Sequence, residues 1–450
     1  MVEGTEIWRC EDVGASLSPG HLGLSLADGK TICAALQQAV AKHQVACLAA
    51  TGLSCSQCSA VMRVKDYRRR RIDTVYGRID VPIPRRLCVA CGSKPAALAL
   101  PVSGRSTTEY ERLRAKFAAH LPYRVVSDVL NACLPLAGGT THTTVRRRTA
   151  TVAERMKAAA RQIGVPPNPV PVAMTVALDT GYVRATPSAG SRQIEILIGN
   201  IANGNRRLNT FAAVAAAGVS WPDHMRSRLE AAGYRSDVTE VTVFTDGANG
   251  LRSLARVVFG PKCQPILDWF HLAMRLRHIE QSACSLTSHV KSHAVAKAKI
   301  QAELQRLHWR LWHGKPDAVP QAIDRLRPSF RAYKFHHRRR DILATPRKIS
   351  NLLHKLKHYV DGQSGWLINY SRRQRAGLRV STSTAESAVG VVIDQRMNRR
   401  NQMRWSAGGA HHLLQVRTAV LNGTFDRSLE NTTHGNTTLA GARLPMAKAA

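Results

Sequence analysis

The chain is poor in acids and has no long apolar run. Only 30 Asp and Glu stand against 65 Lys and Arg, a formal net charge of +35. That balance points to polyanionic partners. The excess runs along the whole sequence instead of sitting in one tail, as an extended nucleic-acid track would require. A ribosomal or chromatin-like protein, or an arginine-rich source, would show the same balance. No run of eighteen or more apolar residues occurs, which argues against a membrane-spanning helix. The opening MVEGTEIWRCEDVG has neither the basic start nor the apolar stretch of a secretion signal. The expectation is a soluble, cytoplasmic and nucleoid-associated protein. With 44% hydrophobic residues over 450 positions, the chain can bury real cores, and its length suggests about three domains.

Six of the ten cysteines (Cys10, Cys33, Cys47, Cys133, Cys263 and Cys284) have no ordered spacing, and four do. Cys55-Ser-Gln-Cys58 and Cys88-Val-Ala-Cys91 flank YRRRRIDTVYGRIDVPIPRRL, whose alternation of apolar and basic residues about Gly77 predicts a β-hairpin. Two such pairs at the ends of a hairpin bring four thiolates together, the ligand set of a closed, structural Zn²⁺. Four unrelated buried cysteines, or a redox pair, are the alternatives. Arg68, Arg69, Arg70 and Arg71, with Arg78, Arg85 and Arg86, make the hairpin either a phosphate clamp or a solvated charged face. Residues 1–50 read as an N-terminal helical segment and 51–104 as a zinc ribbon.

Residues 105–165 turn helical in pattern. A Gly138-Gly139 break, a threonine-rich start and then Arg146, Arg147 and Arg148 predict a helix-turn-helix-like DNA-binding segment, its threonines capping the arginine-bearing helix. An ordinary basic helical linker fits the same pattern. VPPNPVPV at 165–172 marks a domain boundary.

Beyond it, AMTVALDTGYV, RQIEILIGNIA and NTFAAVAAAGV predict a three-stranded antiparallel meander. WPDHMRSRLEAAGY predicts a helix, VTEVTVFTDG a strand, ANGLRSLARVVFG a helix and PILDW a fifth strand. This is the order of the ribonuclease-H-like α/β fold, a mixed five-stranded sheet with helices in which the first and fourth strands are neighbours. Asp179 and Asp246, each at a strand end, should then lie side by side. Such carboxylates can hold the two divalent ions that phosphodiester chemistry uses, and hard oxygen ligands select Mg²⁺ or Mn²⁺. A strand-end Asp equally caps the next turn, and Asp246-Gly247 is a common turn pair.

Glu386 is the third acid at the end of an apolar run, although Ser383-Thr384-Ala385-Glu386 also fits a capping box. Val389, Ile393 and Met397 should then face the core, leaving Arg396, Arg399 and Arg400 for DNA. Asp268 ends the fifth strand and His271 opens the next helix. They can orient a catalytic carboxylate or approach a DNA strand; a buried histidine bonded to a backbone carbonyl is the plain alternative. Residues 172–271 and 381–423 form the two parts of the core. Between them 272–380 reads as a large all-helical insertion, with Arg338, Arg339, Arg340, Arg372, Arg373 and Arg375 toward DNA and Trp309 and Trp312 as packing residues. Residues 424–450 lack periodicity and read as a mobile tail.

Residues from about 50 to 422 resemble the bacterial insertion-sequence transposases of the DDE class, close to the ISKra-type family of the Mutator-like group. The resemblance rests on Cys55-x-x-Cys58 with Cys88-x-x-Cys91-Gly92, ALDTGYV, VFTDGANG, ILDWFHLAMRL and AESAVGVVIDQRMNRRNQMRWSAGGAHHLLQVR. It implies Asp179, Asp246 and Glu386 as the acidic triad, with Asp268-x-x-His271 as the motif that follows the second acid. It further implies a DNA transposase that binds transposon end repeats and target DNA. Metal-activated water would free 3′ hydroxyls that then attack target DNA, and the enzyme would work as a homodimer or larger assembly. The competing expectations are a catalytically silent DNA-binding regulator and a structure-specific nuclease of the same fold.

Overall fold

A computed structural model describes residues 23–50, 54–93, 100, 102, 104–136, 139–162, 173–204, 206–260, 263, 265–334, 340–381, 388–398 and 403–434. They fall into two units, Met1–Gly164 with His412–Ala450, and Val165–His411.

The first unit begins with helix α1 (Leu26–Ala49), started by a capping box between Ser25 and Asp28. The predicted hairpin follows as β1 (Met62–Thr74) and β2 (Gly77–Cys88). Gly77 takes φ +104° at its tip, where an added Cβ would also meet the Pro135 carbonyl oxygen at 2.9 Å. The period-two pattern collects Ile72, Ile79, Val81 and Ile83 on one face, packed with Ala41 and Val45 of α1. The other face carries the charge. Three helices follow: α2 (Thr108–His120), α3 (Tyr123–Cys133) and α4 (His142–Gln162). The Thr141 hydroxyl accepts the Thr144 amide at 3.2 Å, the expected threonine cap before the arginines.

The second unit contains β3 (Ala173–Arg184), β4 (Gln193–Asn203), β5 (Arg206–Ala213), α5 (Trp221–Ala231), β6 (Glu240–Thr245), α6 (Asn249–Phe259) and β7 (Ile266–Leu267). The sheet order is β5-β4-β3-β6-β7, with an antiparallel meander and with β6 and β7 parallel to the first strand. Met174, Val176 and Leu178 alternate along β3 to pack against α5 and α6 through Met225, Leu229, Leu251 and Leu254. The predicted helical stretch is present as α7 (Trp269–Cys284), α8 (Lys291–Trp312), α9 (Ala318–Lys334), α10 (Arg340–Asp361) and α11 (Tyr370–Arg375). Leucines and isoleucines at helical spacing give these helices a core of their own, including Leu272, Leu276, Ile279, Ile300, Leu304, Leu353 and Leu356. Trp312 packs as expected, against Trp269 and Tyr370, whereas Trp309 is 57% exposed.

A π-turn at Gly390–Asp394 runs into α12 (Gln395–Met397). Ile393 and Met397 are buried as expected, but so is Arg396, at 0% exposure with its guanidinium 5.7 Å from the Trp405 ring. The assignment of Arg396 to DNA is therefore corrected. Val392 is buried beside Ile393, so the inward stripe is two residues wide and takes in Arg396 beside Met397.

The chain passes into the first unit along α13 (Ala407–Leu421) and ends in α14 (Phe425–His434). Two boundaries are thereby corrected: from His412 onward the chain belongs with the first unit, not with 381–411, and 425–434 is a helix, not a tail. Phe425 and Leu429 are buried with Ala115, Ala119, Val152 and Val416. One apolar pair in ten residues is too short a pattern to read as periodic. Among the described residues no helix is long and apolar enough to cross a membrane.

Candidate active site and zinc centre

Both C-x-x-C segments fold into the same knuckle. Cys55 N–H donates to Ala60 O and Ser59 N–H to Cys55 O; in parallel, Cys88 N–H donates to Ser93 O and Gly92 N–H to Cys88 O. The residue after each second cysteine is left-handed, Ser59 at φ 59° and Gly92 at φ 69°. The hairpin ladder from Met62–Cys88 onward sets the knuckles face to face. Their Sγ atoms all lie within 4.8 Å of one another, with Cys55–Cys91 at 3.7 Å and Cys58–Cys88 and Cys58–Cys91 at 3.5 Å. Tetrahedral Zn–S bonds require sulfur separations of about 3.8 Å. The four cysteines can hold a zinc ion. The Gln57 and Cys58 amides lead in pulling the Cys55 thiol down to about 6. Cys91 is pushed up to about 12, its Ser93 amide outweighed by Cys88, Cys58 and burial. Four such thiols cannot all ionise at neutral pH without a cation between them.

In the second unit the acids meet on the sheet: Asp246 and Asp268 follow the last residues of β6 and β7, whereas Asp179, expected at a strand end, lies inside β3, which continues to Arg184 paired with β4. The last registered pairs across β3, β6 and β7 are Leu178–Thr245 and Thr245–Leu267. Asp179, Asp246 and Asp268 each follow directly, so three carboxylates leave three adjacent parallel strands at one level. Each makes a local amide bond: Thr180 N donates to Asp179 at 2.8 Å, Ala248 N to Asp246 at 2.9 Å and Phe270 N to Asp268 at 3.0 Å. The capping alternative is therefore met at Asp246, which holds a turn, and at Asp268, which caps α7, whereas Asp179 accepts from its neighbour inside β3. His271, in the first turn of α7, places Nδ1 3.5 Å from Asp268 Oδ2, an ion-pair contact without the alignment of a hydrogen bond. Asp268 is 2% exposed.

Burial, then the charges of Asp246 and Asp268, push the Asp179 carboxyl above the ordinary carboxylate range, against the pull of His271 and the Thr180 amide. Burial lowers His271, but its contact with Asp268 and the charges of Asp179 and Asp246 outweigh this and raise it. The four groups thus sense one another electrostatically. Their ligand atoms are not drawn into so tight a set as the thiols, the group so gathered among the described residues. Neither Asp179 nor Asp246 has a Lys or Arg within ion-pair distance among the described residues. Glu386 lies outside the described residues.

No family model and no curated protein matches this chain.

Three polar side chains from the helical stretch hold the acid-bearing strand ends. The Tyr359 hydroxyl donates to Asp246 O at 2.7 Å, Gln363 Nε2 to Gly247 O at 2.9 Å and the Tyr370 hydroxyl to Leu267 O at 2.8 Å. Arg252 also donates to Gly247 O, and the Arg275 guanidinium sits 4.0 Å from the Tyr359 ring centre. Burial, partly opposed by Arg275, pushes Tyr359 up to about 12, so it stays a donor. Tyr359, Gln363 and Tyr370 carried no signal in the sequence, because their partners lie more than a hundred residues away and leave no local spacing. On the opposite side of Asp179, Val389 and Ile393 close over Gly181, where an added Cβ would meet Ile393 Cδ1 at 2.6 Å. Gly181 shares the sheet face of Asp179, two residues away.

The arginines divide. Arg85 pairs with Asp66, Arg78 with Asp73 at 2.7 Å, and Arg69 and Arg71 lie 3.9 and 3.8 Å from Asp80, so much of the hairpin's charge is neutralised across the strands. Arg70 bonds Gly104 O, Arg86 bonds Ala49 O, and Arg68 is exposed. On α4, Arg146 and Arg147 are exposed while Arg148 faces the buried Glu111 at 3.8 Å, beside the Arg155–Glu111 pair. Arg373 is bonded to Arg379 O and Thr242 Oγ1 and acts in packing, with Arg372 and Arg375 left exposed. Arg338, Arg339, Arg399 and Arg400 lie outside the described residues, and Arg340 opens α10.

Proposed function

We propose that this chain is a DDE-class DNA transposase with a ribonuclease-H-like core, cutting and rejoining DNA at the acids gathered on its sheet. One observation carries the reading. In a chain of net charge +35, aspartates sit at one level on three adjacent parallel strands, Asp179 within β3 and Asp246 and Asp268 just past the ends of β6 and β7, and Asp179 and Asp246 lack a Lys or Arg ion-pair partner among the described residues. A carboxyl raised by burial and by two neighbouring carboxylates, without a Lys or Arg ion pair, is part of a site suited to a cation.

Asp179 and Asp246 would hold Mg²⁺ or Mn²⁺, together with Glu386 as the proposed third acid. Two such ions, when bound, supply the Lewis-acid charge that activates an attacking oxygen and stabilises the leaving one. The protein's own part is positioning. Tyr359, Gln363 and Arg252 fix the turn behind Asp246. Asp268 caps α7 and, with Asp179 and Asp246, raises His271, favouring an imidazolium that would donate to a phosphate oxygen. Exposed Arg146, Arg147, Arg372 and Arg375 offer contacts to the DNA backbone, and the zinc knuckle stiffens the hairpin.

The test is metal-dependent nicking of DNA that carries the element's own ends. Wild type should nick in Mg²⁺ or Mn²⁺ and join the freed ends to a target plasmid, and Asp179→Asn should bind the same DNA without cutting. Binding without cutting by the wild type would make the chain a regulator; cutting without joining would make it a nuclease.

A further inference from the structure

In the first unit a cavity of about 310 Å³ opens between the hairpin tip and the helices, lined by six arginines (Arg71, Arg78, Arg105, Arg114, Arg147 and Arg148) and one acid, Asp73. Its construction follows from the fold. The tip is tied to the start of α2 by Asp73 N–H to Arg105 O and Thr107 N–H to Asp73 O, which carries Arg105 to the rim. The cap residues before α4 close another side, bringing the positive end of a helix of 21 residues to the cavity.

At the bottom sits Arg114, 2% exposed, its guanidinium 4.6 Å from the Tyr110 ring centre. Its Nε and Nη2 are buried without an acceptor, and so is the hydroxyl of Thr140, also on the cavity wall. Asp73 is occupied by Arg78 at 2.7 Å. Buried donors lacking acceptors are costly unless something arrives to accept from them. Planar guanidinium forks gathered around such a space match the oxygens of a phosphate.

We infer that this cavity is a phosphate pocket that takes the terminal phosphate monoester of a DNA strand. A duplex backbone passing over the surface cannot reach a guanidinium as buried as that of Arg114. A strand end can enter, and a cavity of this size has room for the phosphate with part of its sugar. The choice of DNA rests on the proposed function; the phosphate chemistry rests on the cavity alone.

The experiment uses the zinc-loaded full chain and a short single-stranded oligonucleotide labelled at its 3′ end, with either a 5′-phosphate or a 5′-hydroxyl, read by fluorescence anisotropy. The phosphorylated strand should bind about tenfold more tightly, as expected for one buried charge-assisted contact set. Pyrophosphate should erase that preference. Arg114→Gln and Arg147→Gln should each reduce it, with zinc content and melting as fold controls. If Arg114→Gln does not fold, Arg147→Gln on the exposed rim and the pyrophosphate competition decide. Equal binding of the two strands by wild type, or a preference untouched by pyrophosphate and by Arg147→Gln, overturns the inference. A phosphate preference that persists in a protein unable to nick DNA would instead sink the catalytic reading and leave the pocket standing.

Discussion

Asp179→Asn separates a metal ligand from a structural aspartate, because the two roles have opposite signs in stability. The wild-type carboxyl is raised by burial and by Asp246 and Asp268. A carboxyl raised on folding contributes stability while protonated, and that stability is lost as pH climbs from the unfolded value through the folded one. At neutral pH an ionised Asp179 therefore works against the metal-free fold. Asparagine keeps the size and can still accept the Thr180 amide while deleting the charge. In buffer without added divalent ions, Asp179→Asn should melt at or above the wild-type temperature. With Mn²⁺ the order reverses. At a hundred times its dissociation constant, a ligand bound to the native state adds about 2.7 kcal/mol. For a unit of this size each kcal/mol moves the midpoint by about 2–4 °C, so wild type should gain roughly 5–11 °C and the variant little of it. Differential scanning fluorimetry at pH 7 reads both effects, and strong chelators are left out so that the four-cysteine site keeps its zinc. The reasoning is refuted if Asp179→Asn melts well below wild type without added metal, or if it keeps the Mn²⁺ shift.

The zinc centre predicts one zinc per chain by elemental analysis, lost in Cys58→Ser and released as the pH falls and the thiolates are protonated. A Cys58→Ser protein that retains full zinc would remove this centre from the account. Gly181→Ala inserts a Cβ 2.6 Å from Ile393 Cδ1; it should cost about 1–3 kcal/mol by denaturant unfolding and slow nicking, because the displaced segment packs beside Asp179. Tyr359→Phe removes only the hydroxyl that holds Asp246 O, with an expected stability loss of about 0.5–1.5 kcal/mol. A nicking rate that falls no further than DNA binding does would show that this bond positions nothing. The metal-free second unit should also lose stability as pH rises from the ordinary imidazole value through the higher folded value of His271. His271 is raised on folding by Asp268, Asp179 and Asp246 against its burial, so its contribution is complete below its unfolded value and disappears as it deprotonates. His271→Gln should flatten that part of the stability profile.

The sheet and the shared level of its acids were legible because both are local signals, although Asp179 lies inside β3 and not at its end. Alternation marked the strands, the turn after Asp246 marked a strand end, and the order of elements made β3 and β6 neighbours. The knuckles were legible from spacing alone. What sequence did not show lies in contacts without periodicity. Tyr359, Gln363 and Tyr370 act on carbonyls more than a hundred residues away. Glu111 gathers Arg148 and Arg155 from another helix, turning an expected DNA contact into a buried pair. Arg396 faces inward because the buried stripe is two residues wide, Val392 with Ile393 and Arg396 with Met397, where a single row at four-residue steps was expected.

The local amide bonds of the three aspartates sharpen the case for a cation. Thr180, Ala248 and Phe270 each donate to a carboxylate oxygen, and an asparagine oxygen would accept the same bonds, since Asn caps turns and helix starts as well as Asp does. Geometry thus accounts for an oxygen at each position, and His271 gives the charge of Asp268 a partner, but no Lys or Arg among the described residues gives one to Asp179 or Asp246. Three charges that sense one another, one on a residue 2% exposed, oppose folding, and in so arginine-rich a chain a basic partner beside Asp179 or Asp246 could have relieved that cost. Elsewhere the fold does provide such partners, as Arg85 for Asp66 and Arg155 for Glu111. A compact divalent ion would neutralise all three together while leaving room for a phosphate beside it, which a long guanidinium side chain would fill. The missing ion pairs are therefore better explained by an exchangeable cation than by turn formation, and the Mn²⁺ response of Asp179→Asn separates the two.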